Sequence, residues 1–472
     1  MFDQIAAIIQ SLWQPDQHIL AEGLFLQLMG IIYAIAFWSL LIQAKGLWGK
    51  NGILPANFLL AQLKRAGLRR FYYVPTIFWI NSGDKALVLS CLAGIVFGLL
   101  LAFGIQPLLM LILLYVLYLS FKSIGQDFLN FQWDALLLEV GFASIIVAAS
   151  PSAVTAILLW FVLFKFMFMA GAVKLTSGDK VWRDLTAMTY HYETQPLPNP
   201  LSWYAHNLPL WYHRMTVIAT FAIEDVVPFL IFGIPEMRLL AFALLMLLQL
   251  MIFLTGNYGP FNLLSAVMCI PLLPDSLLSS LPIAPIAPAL PDSLIAIPCI
   301  LLILLSGINL LSLSKKRVPG NSILRLLEPF EISNGYGLFA VMTTKRYEII
   351  VEWSEDGKTW TEYGFKWKPQ SLKSHPPVSA PHMPRLDWLM WFLPFSSYEY
   401  NGWFLRFLEK LLKNSPDVTA LLKRAPKDPP RFVRALAYDY HFTDPKTRKK
   451  TGTLWTRDLV GIYCPPLSAR DF

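Results

Sequence analysis

An ionisable group inside an apolar run is kept only where it is paired, solvated or used, so such groups are the first residues to read for chemistry. Six stand out in this sequence: Asp134, Glu139, Lys165, Lys174, Glu224 and Asp225. Glu224-Asp225 lies mid-run in 215–234 and Lys165 mid-run in 153–172, which predicts a buried carboxylate–lysine pair. A structural ion pair or a snorkelling lysine accounts for the same residues. Asp134, with Glu139, follows a helix start at Phe131-Gln132-Trp133, where a carboxylate caps the first turn and is stabilised by the helix dipole.

The stretch 174–214 is the densest polar segment beside an apolar run and gathers acids, bases and aromatics: Lys174, Asp179, Trp182, Asp184, Tyr190, His191, Glu193. An amine whose pKa is lowered by partial burial can act as a base near neutral pH, which makes Lys174, with Asp184 and His191 beside it, the candidate catalytic set. No HExxH, nucleophile elbow or phosphate loop accompanies them. His191, His206 and His213 lack the spacing of metal ligands on one helical face, so no metal and no cofactor is predicted.

Positioning these groups falls to two regions of opposite composition. Residues 1–313 hold 29 charged side chains (14 basic, 15 acidic), and residues 314–472 hold 41 (25 basic, 16 acidic), so the net charge of +8 belongs to the last third. A uniformly basic nucleic-acid binder is excluded. Four scattered cysteines, Cys91, Cys269, Cys299 and Cys464, support neither a disulfide framework nor a zinc finger.

Apolar runs at 23–43, 86–104, 107–121, 135–149, 153–172, 215–234, 238–255, 258–273 and 294–313 approach the ~20 residues needed to span a bilayer. Two are short, so seven to nine spans are predicted, with no cleavable signal peptide ahead of them. With nine spans the basic loops 44–85 and 173–214 and the residues Lys315, Lys316 and Arg317 share one side, opposite Asp3, Asp16, Asp275 and Asp292. The positive-inside rule then puts the N-terminus outside and the C-terminal region in the cytoplasm. The Pro-rich stretch 274–293 reads as an extended connection. Leu59, Leu60 and Leu63 among Lys64, Arg65, Arg69 and Arg70 read as a helix lying in the interface, or as a solvated basic loop.

From Tyr336 the pattern alternates. Residues 346–353 read as a half-buried strand, Glu355-Asp356-Gly357 as a hairpin turn, Trp403–Leu412 as an amphipathic helix, and Phe432–Phe442 and Thr453–Tyr463 as strands. The predicted fold is thus a polytopic helical membrane domain at 1–313, a linker at 314–335 and a soluble β-rich α+β domain with inserted helices at 336–472. Trp388, Trp391 and Phe392, with Phe395, form an aromatic segment that fits either a client contact or one face of a helix packed into its own domain.

Several stretches resemble the lipase maturation factor family: GQDFLNFQWDALLLEVGF (125–142), LTAMTYHYETQPLPNPLSWYAHNLP (185–209), TGNYGPFNLL (255–264), TEYGFKWKP (361–369), PRLDWLMWF (384–392) and Tyr463-Cys464-Pro465-Pro466. The resemblance runs along nearly the whole chain. It implies a multi-span protein that helps secreted dimeric lipases reach an active fold in the endoplasmic reticulum, with its soluble domain in the lumen, against the charge count. It carries no agreed catalytic residues. The chain's length and its C-terminal Ser468-Ala469-Arg470-Asp471-Phe472 point instead to a bacterial inner membrane, with the endoplasmic reticulum as the alternative. A shorter stretch, Ala170-Gly171-Ala172-Val173-Lys174-Leu175 with Trp182 following, is similar to vitamin K-dependent γ-carboxylases, and would make Lys174 a base acting on a lipid-soluble substrate. A transporter with Lys165, Glu224 and Asp225 as its polar path is the third reading. Expected partners are membrane lipid and a secreted lipase or other exported protein.

Overall fold

The structure is a computed structural model that describes residues 18–284, 286–313 and 320–472. Asp3, Asp16, Lys315, Lys316 and Arg317 therefore lie outside the described residues. Seven described helices are long and apolar enough to cross a membrane: α1 (Ile19–Leu41), α2 (Asp84–Ala102), α3 (Pro107–Ile124), α4 (Gln132–Ala149), α5 (Ala153–Thr176), α7 (Pro235–Thr255) and α9 (Asp292–Ser312). Two of the expected runs take other forms. Residues 210–230 make one helix, α6, interrupted by a π turn at Ala222–Val226. Residues 260–267 make the short helix α8, extended by a 3-10 turn to Leu272.

Contacts at the helix ends show how often the chain passes through the bundle. At one end the Asp275 carboxylate accepts from Leu20 and Ala21 N–H at 3.0 Å, Ser150 donates to Asp292 at 2.5 Å, and Trp160 donates to the Pro271 carbonyl at 2.8 Å. At the other end Lys50 N–H meets Asp84 at 2.8 Å, Trp48 reaches the Gly125 carbonyl at 3.1 Å, and Gln195 reaches the Thr255 carbonyl at 2.7 Å. Tracing α1 to α9 between these ends gives nine passages, with the bulged α6 and the short α8 as the sixth and eighth. The β-rich region and the loops 42–83 and 177–209 all sit at the second end.

Close packing within the bundle follows from small residues. A Cβ at Gly30 would lie 2.5 Å from the Gly98 carbonyl oxygen, and one at Gly98 would lie 2.7 Å from that of Gly30, so α1 and α2 touch backbone to backbone.

The β-rich region is a four-stranded antiparallel sheet, order β2-β1-β3-β4, with β1 Arg346–Ser354, β2 Thr361–Glu362, β3 Phe432–Phe442 and β4 Trp455–Leu467. The hairpin turn forms as its Asp-Gly pair predicts: the Asp356 carboxylate accepts from Lys358 and Thr359 N–H at 2.8 Å, and Gly357 takes the positive φ of 72°. Helix α10 (Gly402–Leu412) buries Trp403, Phe404, Phe407, Leu408 and Leu411 in the same apolar cluster as Ile349 and Val351. That cluster continues without a break into Phe37, Phe121 and Phe128 of the bundle. The half-buried reading of β1 is corrected: Arg346, Glu348 and Glu352 are buried as well as Ile349 and Val351. Carbonyls of the loop after α5 take the Arg346 guanidinium, Glu348 pairs with Arg346 and Lys368, and Glu352 pairs with Arg434 of β3 at 2.7 Å.

Candidate functional site

Pro228 has no N–H to close a helical turn and its ring crowds the carbonyl four residues earlier, which is the local cause of the π turn in α6. The extra residue in that turn lets two consecutive acids face α5. Glu224 Oε2 lies 2.5 Å from Lys174 Nζ, and Asp225 packs on Gly171, where a Cβ would come within 2.4 Å of Asp225 Oδ1. Lys174 is 4% exposed, also donates to the Ala170 carbonyl at 2.9 Å, and lies 5.6 Å from the Trp182 ring centroid. Both Asp225 oxygens are buried without a hydrogen-bond partner. The expected pairing of Lys165 with Glu224 or Asp225 is corrected, because α6 meets α5 one end further along, at Lys174.

The neighbours expected of Lys174 divide. His191, on the helix Ala187–Thr194, faces this centre; burial, and then the Lys174 charge, push its imidazole down to about 4, so it is neutral near pH 7. Its Nε2 lies 3.4 Å from the Tyr258 hydroxyl, which donates to Gln195 at 3.1 Å. Asp184 is exposed at the end of the short helix Lys180–Arg183 and takes no part. Asp179 caps that helix and accepts from Met342 N–H at 2.7 Å.

Lys165 instead pairs with Glu139, and both are buried. Glu139 Oε2 also accepts from Tyr336 OH at 2.5 Å and Asn334 N–H at 3.0 Å. This pair therefore anchors the chain that leaves the last span and enters the sheet. Asp134 stands in the first turn of α4, where the dipole favours it, yet the N-cap is Phe131 and the carboxylate is taken by a partner from the far end of the sequence. Arg385 makes two bonds to it, both 2.8 Å, while Tyr118 OH donates at 2.6 Å and the guanidinium lies 4.0 Å from the Trp133 ring. The capping role is thus corrected to one half of a buried fork-to-fork ion pair.

A fourth centre was not singled out from the sequence. Arg346, 1% exposed, donates to the carbonyls of Glu193 (2.8 Å), Gln195 and Pro196 (3.0 Å) and to Glu348 (2.5 Å). Nearby, Trp203 donates to the Thr443 carbonyl at 2.8 Å, and the Glu193 carboxylate accepts from Phe442 N–H at 2.6 Å. The signal for it was the polar, Pro-punctuated run 193–203, whose backbone carbonyls need donors once buried.

The aromatic segment also divides. Trp388 is buried against Trp133 and Tyr258, which corrects its assignment as a client contact, since the bundle loops cover it. Trp391 is half-buried and donates to the Thr194 carbonyl at 2.7 Å, whereas Phe392 and Phe395 are 38% and 58% exposed. On the sheet, the edge strand β4 exposes Leu459, Val460 and Ile462. No group of three metal-ligating side chains occurs among the described residues.

Two family descriptions match the chain: the lipase maturation factor transmembrane domain over residues 20–280 and the lipase maturation factor C-terminal domain over 332–465. The chain is similar to lipase maturation factor 2 of Gallus gallus, 33% identical over 95% of this chain and 81% of that protein. It is similar to lipase maturation factor 2 of Homo sapiens, 32% identical over 96% and 83%. Lipase maturation factor 1 of Bos taurus is 32% identical over 96% and 90%. No solved structure matches.

Proposed function

The chain belongs to the lipase maturation factor family, and we propose from that premise that it is a membrane-embedded maturation factor helping secreted clients such as lipases reach an active fold. One observation carries the reading beyond the relatives' names. The segments that resemble the family converge on a single junction: 125–142 and 185–209 of the bundle bond to 384–392 through Asp134–Arg385 and Thr194–Trp391, Tyr258 of 255–264 packs its ring 5.9 Å from that of Trp388, and 361–369 is fastened to 384–392 by the Trp367 N–H to Asp387 bond. They hold one body in a fixed posture against another, as a scaffold for a client requires. In this proposal residues 1–313 are the membrane body, 314–335 the connection and 336–472 the client-facing domain.

Client capture falls to the apolar surface that the junction leaves uncovered, above all the β4 edge, where a free row of backbone groups lies beside Leu459, Val460 and Ile462 and suits an extended, incompletely folded segment. In cells deleted for the factor, secreted lipase should fall in specific activity more than in amount, and re-expression should restore it. Ile462→Lys is expected to weaken restoration by about tenfold, the equivalent of ~1.4 kcal/mol of client affinity, at unchanged abundance of the factor. Full restoration by Ile462→Lys would remove the edge from the proposal, and unaltered lipase in the deletion would remove the function.

The named relatives come from animals, which supports the endoplasmic reticulum over a bacterial inner membrane. We place the domain in the lumen, where a secreted client folds, although its end of the bundle carries the basic loops and the positive-inside rule points the other way. A cysteine introduced at Lys358 in a cysteine-free variant should then resist an impermeant reagent in intact microsomes and label once they are opened. Labelling before opening would put the domain in the cytoplasm.

A further inference from the structure

The connection between α1 and α2 carries a charge pattern that the maturation reading does not use. From residue 42 to residue 83 the sequence has six basic side chains, Lys45, Lys50, Lys64, Arg65, Arg69 and Arg70, and no Asp or Glu. Lys45 has a carboxylate at 3.9 Å, Asp417. Among the described residues Lys64, Arg65, Arg69 and Arg70 have no ion-pair partner. Arg70 is stacked between Phe71 (4.7 Å) and Trp79 (5.1 Å), and its Nε is buried without an acceptor.

The same segment is apolar where a soluble loop would be polar. Helix Ala56–Leu63, the 3-10 turn Lys64–Ala66 and helix Arg69–Tyr73 expose Phe58 (54%), Leu68 (84%), Phe71 and Tyr73. Tyr72 OH donates to the Leu326 carbonyl at 2.5 Å, joining the segment to the helix Asn321–Leu327, which follows the last span and exposes Ile323 and Leu326. The first segment connects α1 to α2, and the chain just after the second is tied to α3 by the Tyr115 hydroxyl on the Phe330 carbonyl and by Lys122–Glu331 at 3.2 Å, so both segments lie beside the ends of apolar helices. An open groove of about 420 Å³ lies beside the first helix, lined by Leu59, Leu63 and Val74 together with Lys122, Gln126 and the acid Asp127.

We propose that these two helix segments form a platform that binds anionic phospholipid headgroups on the domain's side of the membrane. The exposed apolar side chains enter the acyl boundary, and Lys64, Arg65, Arg69 and Arg70 meet lipid phosphates, whose charge is the complement the protein itself does not supply. Guanidinium groups suit this role through forked donation to phosphate oxygens. The inference does not depend on the maturation reading.

The full chain, purified in mild detergent and exchanged into nanodiscs of equimolar phosphatidylglycerol and phosphatidylcholine, provides the test. Lipid retained on re-extraction, read by native mass spectrometry, should favour phosphatidylglycerol by roughly tenfold, as several basic contacts to an anionic surface imply. Lys64→Gln/Arg65→Gln/Arg69→Gln should abolish the preference, and Lys64→Arg should keep it. Equal retention of both lipids by the parent chain overturns the proposal whether or not the triple variant folds. So does a triple variant that keeps the preference but loses an acidic protein copurifying with the parent, which would make the platform a protein-binding surface.

Discussion

Arg385→Met is expected to leave little folded full-length protein, with a loss of about 3–5 kcal/mol, because it strands the Asp134 carboxylate in a site closed to water. The guanidinium makes both of its bonds to Asp134 at 2.8 Å, a third to the Phe128 carbonyl at 2.8 Å, and lies 4.0 Å from the Trp133 ring, with Arg385 2% and Asp134 0% exposed. After truncation only Tyr118 would still donate to the acid. Against a total stability of roughly 5–15 kcal/mol such a loss empties the folded state for much of the population. The double replacement Asp134→Leu/Arg385→Met removes both charges together and should recover most of the yield, since a buried pair exchanged for apolar side chains is often neutral or better. Size-exclusion yield and melting temperature in detergent, read for both single variants and the double, check this. A single variant as stable as the parent would show that the domain is fastened by its apolar cluster alone.

This pair also marks where sequence reading reached its limit. Asp134 was legible as a costly acid at a helix start, which points to a cap rather than to a cation partner. Its partner is 251 residues away in a region of different composition, and nothing in periodicity or spacing brings such positions together. The same holds for Lys174 with Glu224. Both ends were recognisable as costly, but their register depends on a π turn that shifts the helix face by one residue, which an ideal 3.6-residue repeat does not anticipate. Local signals fared better. The Asp-Gly turn, the β3 strand at Phe432–Phe442 and the amphipathic Trp403–Leu412 helix all form where the residues indicate, because each is decided by near neighbours. The second buried face of β1 was invisible for the opposite reason: Arg346, Glu348 and Glu352 look like a solvated face until partners distant in sequence, the 193–196 carbonyls, Lys368 and Arg434, meet them.

Lys174→Arg is expected to keep full maturation activity per folded molecule, and Lys174→Ala to lose about 3–5 kcal/mol of stability. The amine is held by Glu224 at 2.5 Å and by the Ala170 carbonyl at 2.9 Å, so two of its three donor positions are engaged. A general base must instead offer a free lone pair within reach of a substrate proton. Truncation to Ala would leave Glu224 and the already partnerless Asp225 side by side with no counter-charge, which is where the cost arises. Arginine keeps the charge and reach to Glu224 but titrates too high to take a proton. It therefore separates the two roles that truncation confounds. Secreted lipase activity divided by the amount of folded factor is the quantity to measure. A fall of roughly tenfold or more in that ratio for Lys174→Arg, at normal abundance, would establish chemistry at Lys174 and revive the carboxylase-like alternative. An unchanged ratio leaves Lys174 as the charge that lets two acids enter the bundle, and the junction above it, rather than a reacting amine, as the part that serves the client.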